Sequence, residues 1–137
     1  MNVNDAEKEQ VTGDMLEAIF ARQWELISKY HTIEEKNGLL QTPLIPVDIN
    51  SQHGQQRLKD FAWRITEELG EAMNCLKNKP WKQTHMETDR THYEEELVDA
   101  FHFFIELCIL SGFDAQSLTE MYLKKSLVNK FRQRSQY

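Results

Sequence analysis

Proline and glycine are scarce in this chain, with three and five of 137 residues. Both break helices, so their scarcity favours helical structure and leaves few turn sites. No alternating apolar–polar run of useful length is present, which argues against strands. No apolar run approaches the ~20 residues that span a bilayer, so no membrane partner is expected. The opening stretch MNVNDAEKEQ lacks the apolar centre of a secretory signal. Cysteine is nearly absent. Cys75 and Cys108 lie in apolar surroundings without metal-ligand spacing, and read as core thiols in a reducing, cytoplasmic setting. Bases are outnumbered, 16 against 22 acids, for a formal charge of −6. That balance excludes a nucleic-acid duplex held by bulk charge. The apolar share, 40%, is that of a globular chain, and 137 residues close one modest core. One domain over 1–137 is therefore expected.

The prolines punctuate this chain. Pro43 and Pro46 fall in an irregular stretch, expected as a long loop over 39–54, and Pro80 sits in KNKPWKQTHMETDRT. Between these breaks the spacing predicts four helices. The first runs from Asp14, its N-cap, to Lys36, with Gly38 past its end. The second runs from Gln55 to Leu76, with Leu58, Phe61, Ile65, Leu69, Ala72, Met73 and Leu76 on one face. The third runs from Thr91 to Leu110, opened by a Thr91–Glu94 capping box. It is apolar nearly all round, so it should be the buried central helix. The fourth starts at Asp114. The fold class is therefore all-α, a four- to five-helix bundle, with residues 1–12 expected to be disordered.

Acids recur at matched spacing on two of these helices. Glu68 and Glu71 stand three apart on the second, and Glu96 and Asp99 three apart on the third. Residues three apart share a helix face. Glu68 and Glu71 border the apolar stripe, while Glu67 falls on the far side. Two such pairs on facing helices would set four carboxylates around one point. Clustered interior carboxylates must be protonated, paired with cations or bound to metal. Hard oxygens suit Mg²⁺ or Mn²⁺. Each pair alone also reads as a solvated face. Gly70, mid-helix between the acids, invites a packing explanation.

The last 17 residues carry the opposite charge. Lys124, Lys125, Lys130, Arg132 and Arg134 occur there with no acid, against 11 bases and 22 acids in 1–120. Lys125, Asn129 and Arg132 follow i, i+4, i+7 spacing and share one face. An ammonium, an amide and a guanidinium on one stripe suit a polyphosphate. A solvated helix end is the plainer reading.

Residues 55–137 resemble a known family. An E-x-x-E helix followed by an E-x-x-D helix is similar to the all-α nucleoside triphosphate pyrophosphatases of the MazG and dimeric dUTPase superfamily. KPWK (Lys79–Lys82), ELVDAFHFF (Glu96–Phe104) and YLKKSLVNKFRQRSQY (Tyr122–Tyr137) resemble the dimeric dUTPases and related phage dCTP/dUTP pyrophosphatases. The resemblance implies a MazG-like helical fold, a homodimer or higher homo-oligomer, and Mg²⁺ held by Glu68, Glu71, Glu96 and Asp99. One of Glu68 and Glu71 would also orient or deprotonate the attacking water. Lys125, Asn129, Arg132 and Tyr137 would hold phosphates, and Trp81 and Lys82 would lie at the nucleotide. Gln23 resembles the Q-x-x-L of the base-contacting helix, although Ile27 stands where asparagine often follows. His102 fits D-x-x-H, as a support for the site or a core histidine. Tyr137 is preceded by Gln136 where glycine is usual, and the extra helices of the longer dimeric dUTPases are lacking.

The expected function is Mg²⁺-dependent hydrolysis of dUTP to dUMP and pyrophosphate. Rivals are dCTP, a broader MazG-like range of nucleoside triphosphates, and a non-enzymatic helical interaction module whose acids are surface charge.

Overall fold

The computed structural model describes residues 3–7, 11, 13–38 and 45–135. They form four helices: α1 (Met15–Lys36), α2 (Gln52–Asn74), α3 (Arg90–Leu110) and α4 (Ala115–Arg134). A single 3-10 turn, Val3–Asp5, precedes them, within the stretch read as disordered. The described residues contain no strand. Among them, no helix is long and apolar enough to cross a membrane.

The helix ends follow from local hydrogen bonding. Asp14 caps α1 by accepting from the Glu17 amide at 3.0 Å. Ser51 Oγ accepts from the Gly54 amide at 2.9 Å, so α2 begins three residues before Gln55. Gly54 is buried, and a Cβ there would collide with the Asp48 carbonyl. The expected loop over 39–54 therefore yields its end to the first turn of α2, while 39–44 lie outside the described residues.

The predicted Thr91–Glu94 capping box does not form. Instead α3 opens at Arg90, and Asp89 Oδ1 accepts from the His92 amide at 3.2 Å. Glu94 is drawn to Arg90, at 2.7 Å, in place of the backbone. At α4 the cap is reciprocal. Asp114 accepts from the Ser117 amide at 2.7 Å, and Ser117 Oγ accepts from the Asp114 amide at 3.0 Å.

These elements fall into two compact units. The first holds the 3-10 turn and Asp48–Leu107, hence α2 and most of α3. Its buried apolar residues are Phe61, Ala72, Ala100 and Ile105. Phe61 meets Phe103 edge to face, with centroids 6.2 Å apart. The Arg64 guanidinium lies 4.8 Å from the Phe61 centroid, covering the ring with a cation. The second unit holds α1, the segment to Val47, the last turn of α3 and α4. It buries Phe20, Ile27, Val47, Ile109 and Leu110. The Val47 amide donates to the Leu110 carbonyl at 2.9 Å. Gly112 ends α3 at φ +97°, a left-handed conformation that favours glycine.

Four expectations about packing change. The third helix is not buried all round. Ile105 and Ile109 are buried, yet Val98, Phe101 and Phe104 are 51, 43 and 43% exposed. Those three lie at three-residue spacing, an exposed apolar stripe along the helix. The expected apolar face of the second helix divides likewise, with Phe61 and Ala72 buried but Leu69 and Met73 exposed, and exposed Leu76 lies beyond α2, which ends at Asn74. Cys75 is a half-buried C-cap of α2, and its thiol donates to the Glu71 carbonyl, whereas Cys108 is buried and its thiol pKa raised by desolvation. Close packing does not explain Gly70, because a Cβ there would meet nothing within 4 Å.

Candidate active site

The first unit brings the matched acid pairs together. Glu68 and Glu71 project from α2, and Glu96 and Asp99 from α3. One carboxylate oxygen each of Glu68, Glu96 and Asp99 lies within 4.8 Å of the other two. Glu71 joins them through carboxyl contacts with Glu96 and Glu68. Glu68 and Glu96 are half-buried; Glu67, one residue from Glu68, is exposed as its place on the helix predicts.

The electrostatics centre on Glu96. Its Oε1 meets His92 Nε2 at 3.2 Å. Its Oε2 is buried and without a donor. The neighbouring Glu68 and Glu71 carboxyls can donate to Glu96 only when protonated. Accordingly their hydrogen bonds to Glu96 hold Glu68 at about 7 and raise Glu71. Burial and the surrounding carboxylates Glu71, Glu96 and Asp99 push Glu68 the same way. Glu96 is lowered, because Glu68, Glu71 and then His92 favour its anion. The cluster is thus short of positive charge, and protons or a cation must supply it.

A groove of about 720 Å³ borders the cluster. Glu71 and His92 line it from the cluster, and Lys77, Lys79 and Met86 from the loop that follows α2. That loop carries two of the predicted nucleotide contacts, Trp81 and Lys82. Trp81 is 75% exposed, with Lys79 Nζ 5.4 Å from its ring centroid, so it is not anchored in the core. The other predicted contacts belong to the second unit. Gln23 is buried on α1, one turn from Phe20 and from Ile27. Lys125, Asn129 and Arg132 are exposed along α4. Tyr137 lies outside the described residues. His102 is exposed and lines a second groove along α3 with Thr91, Glu95, Val98 and Asp99.

His92 and Asn78 add to the predicted set. His92 precedes Glu96 by four residues, so its position on the same face was available from the sequence. Asn78 hydrogen bonds twice to the Met86 backbone across the loop, which no helical period encodes.

A family model described as dUTPase matches residues 15–110, a span that contains all four acids. No curated protein and no solved structure matches the chain. An all-α chain with these acid pairs, matched over most of its length by that model, belongs to the dUTPase family and hydrolyses dUTP to dUMP and pyrophosphate.

Proposed function

We propose that this dUTPase works with a divalent cation, Mg²⁺ or Mn²⁺, held by Glu68, Glu71, Glu96 and Asp99. The observation that carries the reading is the convergence of three carboxylates beside the buried, donor-less Oε2 of Glu96. One carboxylate oxygen from each of Glu68, Glu96 and Asp99, all within 4.8 Å of one another, would offer such an ion hard oxygen ligands. The raised Glu68 and Glu71 carboxyls express the same need for positive charge that a cation would meet. When bound, such an ion neutralises the triphosphate and acidifies a water.

The chain's own groups then have distinct tasks. Glu71 both touches the cluster and lines the groove, so it orients the attacking water and takes its proton. The water oxygen bonds to a phosphorus of the α–β bridge. The bridging P–O bond breaks, giving dUMP and pyrophosphate. Lys125, Asn129 and Arg132 hold phosphate oxygens and stabilise charge on the leaving group. The exposed Trp81 offers its face to the pyrimidine, with Lys82 beside it. Gln23 presents an amide in an apolar setting, where a mismatched base edge is costly.

A homodimer is part of this reading. Val98, Phe101 and Phe104 on α3, Leu69 and Met73 on α2 and Leu76 just past its end are too many large apolar groups to leave in water. A second copy covers them isologously. A reducing, cytoplasmic setting suits the two unpaired thiols.

The test is a turnover panel of all canonical nucleoside triphosphates with Mg²⁺, reading pyrophosphate release. dUTP should be turned over fastest, and only with metal. Equal turnover of dUTP and purine triphosphates, or turnover without metal, would overturn this reading.

A further inference from the structure

We infer that Asn78 is a positioning residue for dUTP binding, because its side chain closes the loop that walls the groove beside the acid cluster. The inference rests on the proposed contact between this loop and the nucleotide. Asn78 Nδ2 donates to the Met86 carbonyl at 2.7 Å, and Asn78 Oδ1 accepts from the Met86 amide at 2.8 Å. One amide thus satisfies both polar groups of a backbone residue eight positions on, as a strand partner would. The bonds enclose seven residues, Lys79–His85.

The loop has little else to fix it. Its residues are exposed, and Trp81 is largely open to solvent. Within it, the Lys82 amide donates to the Lys79 carbonyl at 3.1 Å, a single local turn. Released from Met86, seven residues would sample many conformations, and ordering them on binding would cost affinity. The clamp spends that entropy in the free protein. Its two ends carry the consequence, since Lys79, next to Asn78, and Met86, its partner, both line the groove with Glu71 and His92. Asn78 itself does not line it, so its effect on the substrate is exerted through the loop.

The experiment measures kcat and KM for dUTP in the Mg²⁺-loaded full-length enzyme, for wild type, Asn78→Ala, Asn78→Asp and Trp81→Ala. Tryptic cleavage after Lys82 is followed in the same proteins without nucleotide. Asn78→Ala should raise KM about tenfold, the loss of one or two net hydrogen bonds, while kcat changes by less than about twofold. Cleavage after Lys82 should quicken. Asn78→Asp keeps an acceptor for the Met86 amide but sets a carboxylate oxygen against the Met86 carbonyl, so it should resemble Asn78→Ala. If Trp81→Ala raises KM and the Asn78 variants do not, the role of Asn78 is overturned and the proposed nucleotide contact stands. If none of the three raises KM, the loop does not meet the nucleotide and both fail. A fall in kcat as large as the rise in KM in Asn78→Ala would mark general structural damage and also overturn the inference.

Discussion

The acid cluster and the basic stripe are both groups of like charge at helical spacing, yet they differ in kind. Glu68, Glu71, Glu96 and Asp99 come from two helices and converge, with carboxyl contacts from Glu68 and Glu71 to Glu96 that raise the first two. Lys125, Asn129 and Arg132 come from one helix and stay spread along an exposed face of α4. Convergence perturbs groups, because each carboxylate adds to the cost of ionising the next. A stripe on a single helix keeps its charges five or more ångströms apart and solvated. In the proposed reading the first is a preorganised site, and the second needs a phosphate chain to bring its charges to a common task.

The sharpest way to break that contrast is Glu71→Gln. If convergence makes the site, removing one carboxylate should lower dUTP turnover about a thousandfold or more, the scale of a lost catalytic group. The thermal midpoint should hold or rise, since a repelling charge is gone. Pyrophosphate release and a melting curve read both. Next, Lys125→Ala and Arg132→Ala should each raise KM for dUTP about tenfold, as expected for a charge-assisted phosphate contact. Unchanged KM in both would return the stripe to plain surface.

The cluster should also show itself in pH dependence. Glu68 is raised from 4.5 to about 7, so the folded chain holds a proton there that the unfolded chain has released. Its contribution to stability is present in full below 4.5 and is lost as pH rises through about 7. Without divalent metal, the melting temperature should therefore fall between those values. Glu68→Gln should flatten the fall, and saturating Mg²⁺ should oppose it by binding the ionised form. The smallest effect belongs to the other region. Asp114→Ala removes the α4 cap and should cost about 1 kcal/mol, read as a lower midpoint in a denaturant melt.

Much of the fold was legible in the sequence for local reasons. Asp14 and Asp114 cap helices where their side chains can reach an amide three residues on. The acid pairs were legible because a period of 3.6 fixes which residues share a face. The burial of α3 was not, because an apolar surface does not say what covers it. Val98, Phe101 and Phe104 are open in the single chain. The α3 cap was missed because Asp89 and Thr91 compete for the same few amides, and Asp89 reaches His92 first. The Asn78–Met86 clamp joins two loop positions with no period between them, so spacing could not reveal it.

If the converged acids carry metal-dependent dUTP hydrolysis, as proposed, pyrophosphate release from dUTP during a Mg²⁺ titration of wild type and Glu96→Gln will show it. Wild-type turnover should be nil without Mg²⁺ and saturate as it is added, while Glu96→Gln stays near background throughout. Turnover that ignores Mg²⁺, or a Glu96→Gln enzyme that titrates like the wild type, would contradict the account.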